Sequence, residues 1–145
     1  MLIKTLNTLH ETEIKNIRKL EDICKQQDKL NGDVFIDTSI NFNKDIKSSY
    51  LLYDEKNELI SFLYMFIPTD KEAEISAFTL PQYRRKGYFQ LLLSKAYEEL
   101  KKYSVPQVLF VCEEQSAAGK NTIEKLNGEY SFTAVSYTHL TLPTK

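Results

Sequence analysis

The segment from residue 72 to residue 113 most constrains how this chain can fold. It holds an apolar run, EAEISAFTL, then a short polar turn, then a helical pattern, and then a second apolar run, QVLFVCE. A strand, a helix and a strand in this order predict a right-handed crossover, because parallel neighbours in a sheet need such a connection. We therefore expect residues 72–80 and 107–113 to lie parallel in one sheet.

The helix of this crossover is predicted from the spacing of apolar residues after Gly87. These residues recur at positions that share one face of a helix, namely Phe89, Leu92, Leu93, Ala96 and Leu100. Pro106 cannot continue the pattern, so we expect the helix to end near Tyr103.

An earlier helix is predicted near the start of the chain. Apolar residues at helical spacing predict it over about residues 9–29. Thr8 and Glu11 have the spacing of a capping box at its start, and Asn31-Gly32 follows its end.

Three strands between these helices form a predicted antiparallel meander. Apolar runs predict strands at 49–53, 58–67 and 72–80, each separated from the next by a short polar turn. The second run is apolar at nearly every position, which predicts a strand covered on both faces. A short helix over 117–126 and a strand that begins near 130 complete the pattern. The class is therefore α+β, with a mostly antiparallel sheet, one crossover and flanking helices.

Composition excludes several classes of function. The chain has 145 residues, enough for one domain, and 19 basic against 20 acidic residues give a net charge of −1. No overall charge therefore points to nucleic acid or to a membrane surface. Cys24 and Cys112 lack the spacing of a metal site, and we expect no bound metal. We predict reduced thiols and a cytoplasmic protein, because no run is long enough for a signal peptide or a membrane span.

A cationic turn precedes the crossover helix. Arg84, Arg85 and Lys86 lead into Gly87, one of only four glycines. The N-terminus of a helix presents unpaired N–H groups and a partial positive charge, so it can bind an anion such as pyrophosphate. The alternative is a solvated turn in which Gly87 meets only a local conformational need. A dinucleotide fingerprint is excluded, because it needs three glycines.

This part of the chain resembles motif A of the GNAT family of acetyl-CoA-dependent N-acetyltransferases. The family pattern is a strand, then Gln/Arg-x-x-Gly-x-Gly/Ala, then a helix. Arg84 matches the first position and Gly87 matches the first glycine, whereas Phe89 departs from the Gly/Ala position. The order of elements over residues 1–133 is also similar to that of the family. A bulky residue at position 89 would have to turn inward on the helix for a ligand to approach.

The resemblance implies a binding site for acetyl-CoA as co-substrate, without a metal. The pyrophosphate would lie on the turn and the first residues of the helix, which are Arg84, Arg85, Lys86, Gly87, Tyr88, Phe89 and Gln90. The backbone of the preceding strand, at Phe78 and Leu80, would pair with the pantetheine arm. In the family the two parallel strands diverge to admit that arm.

The resemblance also implies direct transfer of an acetyl group to a primary amine of a small molecule or a peptide. Glu74 is the candidate general base, and burial on the strand could raise its pKa; the alternative is an exposed strand charge. Tyr130 is the nearest candidate for the general acid; the alternative is that it is a core aromatic residue and that Ser116 or a water molecule is the acid. Cys112 is expected in the core rather than as a nucleophile.

The acceptor and the assembly are less constrained. Acidic residues at the strand ends could favour a cationic amine, namely Glu72, Glu74, Glu113 and Glu114; the alternative is that they are ordinary solvated charges. The family also allows a homodimer. Two other functions remain open: a GNAT-fold module that binds an acyl-CoA without turnover, and a structural domain without a ligand.

The end of the chain differs from the rest. VSYTHLTLPT, residues 135–144, resembles one translated reading frame of the transposase mosaic end and adaptor used in sequencing libraries, with all ten residues matching. We therefore expect one domain over 1–133, incomplete at its C-terminus, and a non-native tail over 134–145. A chain of this kind could be inactive and would be less stable than its natural parent.

Overall fold

The computed structural model describes residues 1–29, 36, 41–113, 129–133 and 137–143. Within these residues the chain forms two α-helices and one seven-stranded sheet. In chain order the elements are β1 (Leu2–Leu6), α1 (Glu11–Asp28), β2 (Ser49–Tyr53), β3 (Leu59–Phe66), β4 (Glu72–Thr79), α2 (Tyr88–Lys102), β5 (Gln107–Glu113), β6 (Glu129–Thr133) and β7 (Tyr137–Pro143). The α+β class predicted from the sequence is confirmed.

The sheet order is β1-β2-β3-β4-β5-β7-β6. The predicted meander is confirmed, because β2, β3 and β4 pair antiparallel in turn. The predicted crossover is also confirmed, because β4 and β5 are parallel neighbours. The sequence analysis missed β1, a strand at the sheet edge that pairs only with β2 in the described residues. Its residues are exposed or half-buried, so it carries little of the apolar pattern that marks the central strands.

The start of α1 differs from the prediction. The helix begins at Glu11, and the N–H of His10 donates to Oε1 of Glu13 at 2.8 Å. The predicted capping box at Thr8 and Glu11 is therefore wrong by two residues. The helix predicted over 117–126 lies outside the described residues.

The two helices cover opposite faces of the sheet. On one face, Lys4 of β1 pairs with Glu13 of α1 at 3.8 Å. On the other face, the ring of Phe89 of α2 packs edge-on against Phe110 of β5, with centroids 6.2 Å apart. Every residue of β2 and all but the last of β3 are buried, so the expectation that the second strand is covered on both faces is confirmed.

The core side of α2 consists of Leu92, Leu93, Ala96 and Leu100. Burial of a leucine side chain contributes about 1.5–3 kcal/mol, so this face holds α2 firmly on the sheet. The N-terminus of α2 is thereby fixed next to the end of β4, where the candidate site lies.

The strand β7 lies between β5 and β6. It pairs with β5 over seven residues, from Gln107 opposite Pro143 to Glu113 opposite Tyr137. This segment falls within the stretch assigned above to a non-native tail, and that assignment stays a prediction. In this structure the segment covers the outer edge of β5.

Candidate functional site

The turn between β4 and α2 has an unusual backbone. A short 3-10 helix, Pro81–Tyr83, follows β4, and α2 begins at Tyr88. Arg85 has φ +63° and Gly87 has φ +83°, both in the left-handed region. That region costs little for glycine but about 1–2 kcal/mol for other residues. The conformation therefore explains why a glycine stands at position 87.

Gly87 also leaves room beside the helix N-terminus. A Cβ atom built on this residue would meet no atom within 4 Å. Crowding by the rest of the protein therefore does not explain why position 87 lacks a side chain. Gly87 is the N-cap of α2 and has no side chain that could bond the first N–H groups of the helix. Backbone donors beside open space are what an anionic ligand needs for close approach.

A gap in the sheet begins near this turn. The pairing of β4 with β5 runs from Glu72 opposite Gln107 to Ile75 opposite Phe110 and stops there. The strand β4 continues for four more residues to Thr79, a distance of about 13 Å at the usual rise per residue. This stretch of β4 pairs with β3 on one side only, within the described residues. The predicted divergence of the two parallel strands is thus visible in the register.

The backbone groups that face the gap are not those expected. The N–H of Leu80 donates to the carbonyl of Ile60 at 2.9 Å, and its carbonyl accepts from the N–H of Tyr83 at 2.9 Å. Backbone groups alternate in direction along a strand, so those of Phe78 also face β3. The prediction that Phe78 and Leu80 present their backbone to the gap is therefore wrong in register. Ala77 presents its N–H and carbonyl there.

Arg84 makes hydrogen bonds within the protein. Its Nη1 and Nη2 donate to Oδ1 and Oδ2 of Asp28 at 2.8 and 2.7 Å, and its Nε donates to the carbonyl of Thr79 at 3.0 Å. The hydrogen bonds with Asp28 raise the pKa of the Arg84 guanidinium further above its usual range. The side-chain charge of Arg84 is thus largely balanced by Asp28. No local sequence pattern predicts this pair, because its members are 56 residues apart.

Two other cations remain at the turn. Arg85 and Lys86 are exposed, and Nζ of Lys86 lies 5.7 Å from the ring centroid of Tyr83. The rings of Tyr83 and Tyr88 are tilted neighbours with centroids 6.1 Å apart. Positive charge beside a helix N-terminus is unfavourable by itself, because it opposes the helix dipole. An anionic ligand would turn this arrangement into a favourable one.

The departure at Phe89 does not block the turn. Its ring is half-buried and packs against Phe110, so the side chain points into the contact between α2 and β5. The condition stated for a bulky residue at position 89, that it turn inward on the helix, is therefore met. Gln90, the next residue, is exposed.

Glu74, the candidate base, lies at the closed end of the gap. It is one residue before Ile75, where the pairing of β4 with β5 ends. Its side chain is half-buried and lies on the face opposite Ile75, whose partner Phe110 packs against α2. Glu72 shares the face of Glu74 and is also half-buried. The two carboxylates therefore lie on the sheet face opposite α2, which is the face that carries α1.

Tyr130, the candidate acid, is not brought to the same place. It lies on β6, and the sheet order puts β5 and β7 between this strand and β4. Three strand spacings amount to about 14 Å, which exceeds the reach of a tyrosine side chain. The structure therefore does not place Tyr130 beside Glu74. Ser116, the alternative, lies outside the described residues.

Other chemical groups are few in the described residues. No group of three or more His, Cys, Asp or Glu side chains there could hold a metal ion. No described helix is both long enough and apolar enough to cross a membrane. Cys24 is a buried free thiol whose Sγ lies 3.5 Å from the carbonyl of Thr79, and burial raises its pKa to about 11. Such a thiol is protonated at neutral pH and is a poor nucleophile.

Comparison with known proteins agrees with the geometry of the turn and the gap. The family model described as "Acetyltransferase (GNAT) family" matches residues 14–128. A comparison with curated protein sequences found no match.

Solved structures with the same fold include several acetyltransferases. The PaiA N-acetyltransferase of Thermoplasma acidophilum, solved in complex with coenzyme A, is 15% identical with a TM-score of 0.75, and the match covers 99% of each chain. The ribosomal-protein-S18-alanine N-acetyltransferase of Escherichia coli is 17% identical with a TM-score of 0.66, covering 99% of this chain and 94% of that one. The YncA protein of Salmonella typhimurium, solved with its cofactor acetyl-CoA, is 14% identical with a TM-score of 0.68, covering 100% and 94%. At these identities the likeness shows a shared fold.

Proposed function

The chain belongs to the GNAT acetyltransferase family, and we propose that it is an N-acetyltransferase that moves an acetyl group from acetyl-CoA directly to a primary amine. The observation that carries this proposal is the gap between β4 and β5. It opens beside the Gly87 turn and closes at Ile75, next to Glu74. In this proposal the gap leads from an anion site at the turn toward the candidate base.

The described residues fit coenzyme A in two ways. The open space beside Gly87, with the first N–H groups of α2 and the charges of Arg85 and Lys86, suits a pyrophosphate. The inward N–H and carbonyl of Ala77 suit an extended arm that carries amide groups, because they continue the ladder where β5 leaves it. When bound, the coenzyme supplies the acetyl thioester, which would lie at the closed end of the gap.

Glu74 would prepare the acceptor for attack. An amine is protonated near neutral pH and must lose a proton before its lone pair can attack a carbonyl. The carboxylate of Glu74 can accept that proton directly or through one water molecule. A new C–N bond forms, the C–S bond breaks, and a proton reaches the leaving sulfur to give a free thiol. Water is the acid we propose for that last step, because Tyr130 lies three strands away.

The acceptor we propose is a cationic primary amine of a small molecule or a peptide. Glu72 and Glu74 are half-buried on the face of β4 that carries α1, so an acceptor that reaches their exposed part would meet negative charge. The peptide case and the small-molecule case have the same reacting group. A panel of both kinds of amine would separate them.

The first experiment is isothermal titration of acetyl-CoA into the parent chain and into two tryptophan variants. Gly87→Trp fills the open space at the turn. Ser104→Trp is the matched control, since Ser104 is exposed, has φ +57° and follows the other end of α2. We expect micromolar binding by the parent and by Ser104→Trp, and loss of binding in Gly87→Trp. A folded parent that binds no acetyl-CoA would contradict the proposal.

A second function is favoured by one observation. Tyr130, the candidate acid, lies three strands away from Glu74, so the domain could bind an acyl-CoA without turnover. Release of free thiol in the presence of an amine panel separates an enzyme from a binding module. Glu74→Gln is the matched variant, because it keeps the shape of the side chain and removes the base.

A further inference from the structure

The pair formed by Arg84 and Asp28 joins three parts of the fold. Asp28 is the last residue of α1, and Arg84 opens the turn that leads to α2. The third bond of Arg84 goes to the carbonyl of Thr79, the last residue of β4. A single guanidinium thus holds the end of one helix, the end of one strand and the start of the turn.

The geometry of this pair is that of a strong interaction. Both carboxylate oxygens of Asp28 accept from different nitrogens of Arg84, at 2.8 and 2.7 Å. The side chains are 26% and 15% exposed, so water screens the pair only partly. A bidentate guanidinium–carboxylate pair fixes orientation as well as distance, which a lysine at position 84 could not do.

The position of the pair matters because the turn is short and strained. Only two residues separate Arg84 from Gly87, and Arg85 takes a left-handed conformation between them. The direction of the first N–H groups of α2 therefore depends on where Arg84 is held. The carbonyl of Thr79 is bonded by the same side chain, so the open end of the gap depends on it too.

We propose that Asp28 is a positioning residue for acetyl-CoA, acting through Arg84 on the turn and on the end of β4. This inference rests on the proposed function. Asp28 touches neither substrate in this account. It lies on α1, outside the family's motif, and it sets the geometry in which the turn meets the pyrophosphate and β4 meets the pantetheine arm.

A double-mutant cycle tests the proposal. We expect Asp28→Ala and Arg84→Ala each to raise the Kd of acetyl-CoA about tenfold, which is the size of a coupled hydrogen-bonded charge pair. If Asp28 acts only through Arg84, the double variant loses about tenfold rather than about a hundredfold. Asp28→Glu should recover most of the affinity, because its carboxylate can again bond both nitrogens of Arg84. Asp28→Asn, a milder change, gives a folded variant for titration if Asp28→Ala unfolds.

Glu13→Ala is the matched control for a general loss of stability. It removes an ion pair and a backbone hydrogen bond at the other end of the same helix. We expect it to lower the melting temperature and leave the Kd of acetyl-CoA unchanged. An equal loss of affinity in this control would overturn the inference.

The remaining outcomes separate the two proposals. A folded parent that does not bind acetyl-CoA overturns the proposed function and the inference with it. If the parent binds acetyl-CoA, Gly87→Trp does not, and Asp28→Ala has the same Kd as the parent, only the inference is overturned. A hundredfold loss in the double variant also overturns it, because Asp28 would then act independently of Arg84.

Discussion

Replacing Arg85 by glycine should make the protein more stable and, at the same time, a weaker binder of acetyl-CoA. Arg85 has φ +63° and is exposed, next to the N-terminus of α2. A non-glycine residue in this conformation costs about 1–2 kcal/mol. Glycine removes that cost, but about 0.5–1 kcal/mol of the gain is lost because glycine gives the unfolded chain more conformational freedom. Removal of a cation from a helix N-terminus adds a few tenths of a kcal/mol at an exposed site.

These terms give a net gain of about 1 kcal/mol in the free energy of unfolding. In a chain of this length the gain corresponds to a rise of about 2–5 °C in the melting temperature. The same substitution removes one of the two exposed cations that would face the pyrophosphate. Loss of such a contact, worth about 0.5–1 kcal/mol in water, would weaken binding about two- to fivefold. Binding by the parent should also fall more steeply with added salt than binding by the variant.

Ser104→Gly is the control for the conformational term. Ser104 has φ +57°, is exposed and follows the C-terminus of the same helix. We expect a similar rise in the melting temperature and an unchanged Kd. Thermal unfolding by circular dichroism and titration of acetyl-CoA measure both quantities on the same samples. The reasoning is refuted if Arg85→Gly binds acetyl-CoA as tightly as Ser104→Gly at low salt, or if it melts below the parent.

Four further predictions concern the reaction, the core and the sheet edge. Glu74→Gln should lower kcat about a hundredfold with little change in the Kd of acetyl-CoA, as expected for loss of a general base; an unchanged kcat measured by thiol release would rule out the role. In a Cys112→Ala background, Cys24 should react with a thiol reagent at pH 8 only on the timescale of unfolding, because burial raises its pKa to about 11; rapid labelling of the native protein would contradict the placement. Because of the same pKa shift, the folded state keeps the thiol proton of Cys24 above pH 9, where the unfolded state loses it. The contribution of Cys24 to stability is therefore present below pH 9 and declines toward pH 11. Unfolding in denaturant at several pH values, compared with Cys24→Ala, measures this decline. Truncation after Thr133 should expose the edge of β5 that β7 covers, and should increase concentration-dependent association in sedimentation velocity; a monomeric truncated chain would show that β7 does not protect this edge.

The sequence predicted those parts of the fold that depend on local pattern. The central strands and α2 follow from apolar runs and helical spacing, and their bounds agree with the prediction to within one or two residues. The edge strand β1 was missed because its residues are exposed or half-buried, so they carry little apolar pattern. The start of α1 was misplaced because Thr8 and His10 both precede a glutamate at capping distance, and spacing alone does not choose between them.

The candidate site was predicted only where the motif is contiguous. Gly87 and its cationic neighbours stand together in the sequence, so the turn could be identified. The backbone groups that face the gap could not be predicted. Whether they belong to Ala77 or to Phe78 and Leu80 depends on which residues of β4 bond to β3. The bond between Arg84 and Asp28 joins residues from different elements, and a single sequence carries no sign of it.

The gap between β4 and β5 has a consequence for the chain as a whole. An unpaired strand edge normally invites strands of other molecules and leads to aggregation. Here the unpaired edges lie inside the sheet. They belong to β4, whose other edge pairs with β3, and to β5, whose other edge pairs with β7. A second polypeptide strand cannot enter from the side, because both flanks are already sheet. If the proposed function is correct, the ligand that pairs with this edge must therefore be narrow and extended, and must enter at the end of the gap beside the Gly87 turn.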